Sequence, residues 1–309
     1  MRRLVCAVFL LLLPAAGFNE NPQATFEFHN DFWVNLHHTL FNFAFIRNVG
    51  VPLNLSALSP EETTVWNTAL DHYSRDLIKH DFIEFEMTRI NGLLALAGDA
   101  PTLKGIDIDK DLATQLEKAA PIYRAHWWAD HRRKNQEWVD RAAPLIARHE
   151  DALKPALARA YRTPWPKGRI RVEMSYYVTN GVAYTALGPT LITVSSNSQR
   201  NQGDAALETI FHEAGHSLII KIRDEIASEA KKQKRTLPHP DLWHAVLFYI
   251  NSEIVHERLP ETVPYPVKYG LWDNGWPNTL PLLQKYLRPV IDGKADLKEA
   301  IRHIVAESN

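Results

Sequence analysis

Cysteine is almost absent. Cys6 is the only one in 309 residues, and no disulfide framework can staple such a chain, so its stability must come from an ordinary apolar core. An excess of either charge is also missing. The formal net charge is -1 with 23% charged residues, and no basic stripe offers the electrostatic footprint of a nucleic-acid binder. The one basic run, KKQKR at 231–235, is short and falls where a helix ends, a place that suits cations. After the first residues no apolar run approaches the ~20 needed to span a bilayer. Internal repeats and low-complexity segments are lacking as well.

The first residues carry the clearest local pattern. Arg2 and Arg3 precede an unbroken apolar run at 4–13, and Pro14, Ala15, Ala16 and Gly17 follow. A positive start, a short apolar stretch and small residues are the layout of a secretory signal peptide, with cleavage expected before Phe18. Cys6 lies inside that segment and lacks the flanking pattern of a lipoprotein signal. The expected mature chain of about 290 residues is long enough to bury a sizeable core. Export to a periplasm or to the medium is expected, with no stable membrane insertion after cleavage.

Beyond the leader the pattern is mainly helical. A largely apolar helix is expected at 24–47. Ser59-Pro60-Glu61-Glu62 is a helix start, with a cap, a proline in the first turn and a glutamate closing the box, and that helix runs to about 79. Further helices are expected at 82–97, ended by Gly98, and at 109–160, where Leu112, Leu116, Tyr123 and Trp127 face inward and Pro121 and Pro144 interrupt. The turn-rich Thr163-Pro164-Trp165-Pro166-Lys167-Gly168 looks like a boundary. Strands follow at 169–177, 183–187 and 190–195, separated by Asn180-Gly181 and Gly188-Pro189. A polar loop then leads to one long helix at 205–234, a Pro-rich turn at 237–240, a helix at 241–258, and Pro- and Trp-rich loops with short helices at 260–309. The expected class is α+β, mostly helical, with a small antiparallel sheet. The expected divisions are 1–17, a helical 18–165, and a region of strands and helices at 166–309.

The chemistry concentrates at His212-Glu213-Ala214-Gly215-His216. Two histidines four apart on a helix point the same way, because 3.6 residues complete a turn. They can grip one zinc ion, and Glu213 beside the first can take a proton from a water activated there. Leu207, Ile210, Phe211, Leu218, Ile222 and Ile226 recur at helical spacing, and a strand and loop come directly before. An extended substrate can pair with such a strand. Gly215 is a poor helix former, by about 1 kcal/mol against alanine, which close approach of another backbone would explain.

This stretch resembles the zincin metallopeptidases, over about 70 residues that include HEAGH at 212–216, the preceding strand and the returning helix; the first 165 residues carry none of the likeness. The resemblance implies a zincin-like core, bound Zn2+, and hydrolysis of peptide bonds in a peptide or protein substrate. HEAGH is also similar to the string found in membrane-bound ATP-dependent proteases, but this chain lacks their phosphate-binding glycine loop. The metzincin extension would need glycine and histidine where Ile219 and Ile222 stand.

The third ligand is therefore sought on the returning helix, as in the gluzincins, among His244, Glu253 and Glu257. If the metal helix continues ~18 residues past His216, about 27 Å at 1.5 Å per residue, an antiparallel partner regains the zinc level near 253–258. Glu253, next to the small Ser252, is the expected ligand. Glu253 and Glu257, four apart, are similar to the gluzincin ExxxD pair, with Glu in place of Asp at the second position.

Asp204 or Glu208 either braces His212 or His216 or is a helix-start acid favoured by the dipole. His37-His38 either line the cleft or sit in the core. Tyr265, Tyr269 and His256 are the choices for a hydrogen-bond donor to the transition state. Two further readings stand beside the peptidase: a zinc hydrolase acting on a non-peptide amide or ester, and a non-catalytic zincin-fold binding protein, which would commonly have lost Glu213.

Overall fold

The computed structural model describes residues 24–179 and 181–308. The expected signal peptide at 1–17 and Cys6 lie outside the described residues. The chain is mostly helical, built around one four-stranded sheet. In chain order β1 (Phe26–His29) leads to α1 (Phe32–Asn48), α2 (Pro60–Asp76), α3 (Phe85–Ala97), α4 (Lys110–Tyr123) and α5 (Ala129–Ala160). Then come β2 (Ile170–Ser175), β3 (Ala183–Ala186) and β4 (Leu191–Ser195). The rest is helical: α6 (Asp204–Gly215), α7 (Ile220–Lys232), α8 (Leu242–His256), two single turns α9 (Tyr265–Lys268) and α10 (Leu271–Asn274), then α11 (Leu280–Ile291) and α12 (Leu297–Glu307).

Local signals account for several boundaries. The capping box at Ser59 forms as expected, its hydroxyl accepting from Glu62 N while Glu62 reaches back to Ser59 N. Gly98 ends α3 at φ +56, a backbone conformation that glycine adopts without strain. The expected single helix at 109–160 is interrupted at Arg124–Trp128, where a wide turn separates α4 from α5; Pro121, Pro144 and Pro155 are accommodated inside the helices.

The sheet corrects the antiparallel expectation. Its order is β1-β2-β4-β3. β1 runs parallel to β2, β2 parallel to β4, and only β3 is antiparallel to its neighbour. β1 was expected to be helical. Phe26-Glu27-Phe28-His29 alternates apolar and polar with the period of a strand, but its partner Ile170 lies far along the sequence. The sheet is covered on both faces, as parallel strands usually are. Ile170, Val172, Met174, Ile192 and Val194 pack with α5, α6, α8 and the last two helices. Leu191, Tyr184 and Ala186 face the core of α1 to α4 on the other side. The regions 18–165 and 166–309 share this arrangement: Phe26 and the inward residues of α5 belong to the same core as α6 and α8.

The expected long helix at 205–234 is two helices. α6 stops at Gly215, and His216, Ser217 and Leu218 then make tight bonds to carbonyls three residues back, at 3.2, 3.1 and 2.9 Å. The Ser217 hydroxyl donates to Ala214 O at 2.7 Å, a local bond that competes with the regular ladder. Apolar spacing continues through the break, because the tightened turn keeps helical handedness. α7 departs to pack on α12, and α8 is free to lie directly against α6.

Candidate metal and catalytic site

Glu208 and Gly215 mark where α8 meets α6. Ser252 Oγ donates to Glu208 Oε1 at 2.5 Å and Asn251 Nδ2 to Glu208 O at 3.0 Å. Seven residues later on α6, a Cβ built on Gly215 would stand 2.7 Å from Leu247 Cδ1 and 3.5 Å from Tyr161 Oη. Gly215 thus makes room for a leucine side chain and a tyrosine, rather than for the backbone expected there. The two helices run antiparallel, so the first turn of α8 lies beside the last turn of α6.

That contact delivers His244. His212, His216 and His244 each offer a ring nitrogen, all within 4.8 Å of one another. Their ring centroids form a near-equilateral triangle of 5.1, 5.2 and 5.2 Å. His212 Nε2 and His244 Nε2 are 3.2 Å apart. Two nitrogens bound tetrahedrally to zinc at 2.0–2.1 Å would be separated by about 3.3 Å, so the spacing fits. His212 is buried, while His216 and His244 are half-buried and reach the surface.

Glu253 is not among them, which corrects the expected ligand set. Nine positions after His244, at about 100° per residue, it lies on the opposite side of α8. It pairs with Arg288 Nη1 at 3.1 Å, and Glu257 pairs with Arg288 Nη2 at 2.5 Å. The residues that share the His244 face of α8 are Phe248 and Ser252, at intervals of four. The helix-rise argument placed Glu253 by assuming an unbroken metal helix; the break at 216–219 moves the start of α8 up to the histidines.

The electrostatics favour neutral imidazoles. Burial holds His212 well below the usual histidine range, helped by repulsion from His216 and His244. Burial likewise lowers His216 to about 3 and His244 to about 4. Each therefore keeps a lone pair at neutral pH, as a metal ligand must. Glu213 is pushed the other way, up to about 7, by burial, with the Thr185 hydroxyl opposing. Its Oε2 lies 3.8 Å from His216 Nε2.

Aromatic packing holds the imidazole planes. Phe248 stacks on His212 at 3.9 Å between centroids and Trp243 on His244 at 5.0 Å; Trp276 meets His244 edge-on at 5.6 Å. Trp276 is fixed by donating Nε1–H to Asp241 Oδ1 at 3.1 Å. The carboxylate expected to brace a ligand histidine does not do so. His212 Nδ1 is buried with no partner among the described residues. Asp204 is exposed, and Glu208 is turned to Ser252 and to Tyr265 N at 2.9 Å.

Of the three expected donors, Tyr265 comes nearest, its ring 6.2 Å from Phe248. Burial raises its phenol to about 12, so it keeps its proton. Tyr269 lies behind Tyr265, at 4.5 Å, and takes the Arg200 guanidinium on its ring. His256 sits at the far end of α8 from His244, about 18 Å along the axis. His37 and His38 are buried on the other side of the sheet, where His37 Nδ1 meets Tyr73 Oη at 2.8 Å and His38 Nε2 meets Tyr184 Oη at 3.1 Å. They are core histidines, remote from the triangle.

Trp243, Phe248 and Thr185 were not singled out from sequence. The four-residue spacing of His244, Phe248 and Ser252 on an apolar helix was the signal for Phe248; Trp243 and Thr185 carried none. A second cluster with metal-ligand side chains, His29, Asp31 and Glu173, already encloses a cation: Arg171 Nη2 is 2.6 Å from Asp31 and Nε 2.5 Å from Glu173. No family model, no curated protein and no solved structure matches this chain.

Proposed function

We propose that the chain is an exported zinc-dependent hydrolase of the zincin type, cutting peptide bonds. The observation that carries this reading is the convergence of three lone-pair-bearing imidazoles beside a buried carboxylate. His212, His216 and His244 would hold the ion, and imidazole donors suit zinc. A zinc ion so bound supplies Lewis acidity toward a water and a carbonyl oxygen. The half-buried faces of His216 and His244 leave a side from which substrate can approach.

The chain's own groups supply the rest. Glu213 accepts a proton from the attacking water, whose oxygen bonds to the carbonyl carbon. The same carboxyl then hands that proton to the nitrogen as the C–N bond breaks. With Oε2 3.8 Å from His216 Nε2, the carboxyl stands beside the ligand set, where both halves of this cycle take place. Tyr265 can donate to the developing negative oxygen but cannot act as a base. Peptide substrates are favoured over other amides and esters by β3. Its outer side pairs with no strand among the described residues, and an extended chain can add there. Export rests on the three-part pattern of residues 1–17.

The test is Glu213→Gln. The variant is expected to bind about one zinc per chain, as the wild type does, while peptide hydrolysis falls by roughly 100- to 10,000-fold. Normal turnover by that variant would refute the assigned base, and absence of zinc from the wild type would refute the metal.

A further inference from the structure

Thr185 is the one hydrogen-bond donor to the Glu213 carboxylate among the described residues. Its Oγ1 donates to Glu213 Oε2 at 2.7 Å and lies 3.0 Å from Glu213 O. A hydroxyl has a single proton, and a carboxylate is the stronger acceptor. Thr185 is also β-branched, so its χ1 is restricted. The hydroxyl is thus aimed by the strand that bears it.

That strand is held from behind. On the opposite face of β3, Tyr184 stacks on Phe82 at 5.3 Å and its hydroxyl meets His38 Nε2 at 3.1 Å. On the near side Thr185 pairs in register with Ile192 of β4. The position of the hydroxyl is therefore set by the core of α1 to α3, while its acceptor is set by α6. The bond joins the edge strand to the turn of α6 that carries His212 and His216.

We infer that Thr185 is a positioning residue for Glu213: it holds the carboxylate by one oxygen in the rotamer that faces the three histidines, and it couples that rotamer to the edge strand on which an extended peptide would lie. The first half concerns a side-chain position and stands without catalysis. The second rests on the hydrolase reading.

The test compares Thr185→Val and Thr185→Ser with the wild type, each as zinc-loaded full chain, by crystal structure and by kinetics on a peptide the wild type cleaves. Valine keeps the shape and removes the donor; serine keeps the donor. The Thr185→Val structure is expected to show Glu213 displaced from its wild-type position. Its kcat is expected to fall roughly 10- to 100-fold, the scale of a misplaced catalytic group. KM and zinc stoichiometry are expected to stay unchanged, and Thr185→Ser to restore position and kcat to within a few-fold. A Thr185→Val chain whose Glu213 stays in place overturns the inference, and so does one with wild-type kcat. If the zinc-loaded wild type cleaves no peptide, the hydrolase reading fails, and the position of Glu213 in the valine variant alone decides the inference.

Discussion

Glu173 lies in the sheet with no exposed surface, sharing the Arg171 guanidinium with Asp31. Burial pushes its carboxyl up to about 8, and the neighbouring Asp31 adds to the rise. The folded chain therefore holds a proton that the unfolded chain, near 4.5, gives up. Stability from this group is complete below about pH 4.5 and drains away as pH climbs toward 8. Glu173→Gln keeps the shape and cannot ionise. It is expected to flatten the fall in Tm between pH 5 and 8, with a gain on the order of 1 kcal/mol at pH 8, seen as a few degrees. Thermal melts across that range check it; parallel curves for variant and wild type would show that Glu173 is ionised throughout. At the same scale, His212 and Glu213 could be picked out from sequence because the HExxH spacing is local. Thr185 could not, since its partnership with Glu213 needs a strand and a helix that the sequence alone does not bring together.

Among the elements, the contact of α6 with α8 decides the site. At Gly215 a Cβ would stand 2.7 Å from Leu247 Cδ1, and Leu247 is fully buried there. Alanine would gain about 1 kcal/mol of helix propensity over glycine. It would also press its methyl on a leucine that has nowhere to swing, and overpacking of this kind costs about 1–3 kcal/mol. Gly215→Ala is therefore expected to be neutral to destabilising by up to about 2 kcal/mol, and Leu247→Val is expected to relieve the penalty in the double variant. Denaturant midpoints of the four chains in that cycle measure it, and a Gly215→Ala chain more stable than wild type would mean that α8 stands further off. The helix periods of α2, α3 and α8 were legible because their apolar content, the Ser59 box of α2 and the Gly98 stop of α3 are written locally. The break after Gly215 was not, because Leu218, Ile222 and Ile226 keep the helical spacing through it. That single break is why His244, and not Glu253, meets the two histidines.

Across the whole molecule, the helical first half is part of the frame that carries the site. β1 extends the sheet, α5 packs behind α6 and α8, and α1 to α3 hold the far face of β3. None of this showed in the apparent boundary at 163–168, since a turn-rich stretch marks the end of a helix as readily as the end of a core. The parallel pairing of β1 with β2 joins segments distant in sequence, and no local pattern announces such a pairing. The result is a helical hairpin held by both halves of the chain, with the three histidines at one end of α8 and the Arg288 ion cluster at the other. Zinc K-edge X-ray absorption on the loaded chain tests this most directly. The wild type is expected to show three imidazole nitrogens at about 2.0–2.1 Å and one further light atom, with one imidazole lost in His244→Ala and the spectrum unchanged in Glu253→Ala. A wild-type spectrum with two imidazoles and a carboxylate, unaltered in His244→Ala and disturbed in Glu253→Ala, would contradict the account.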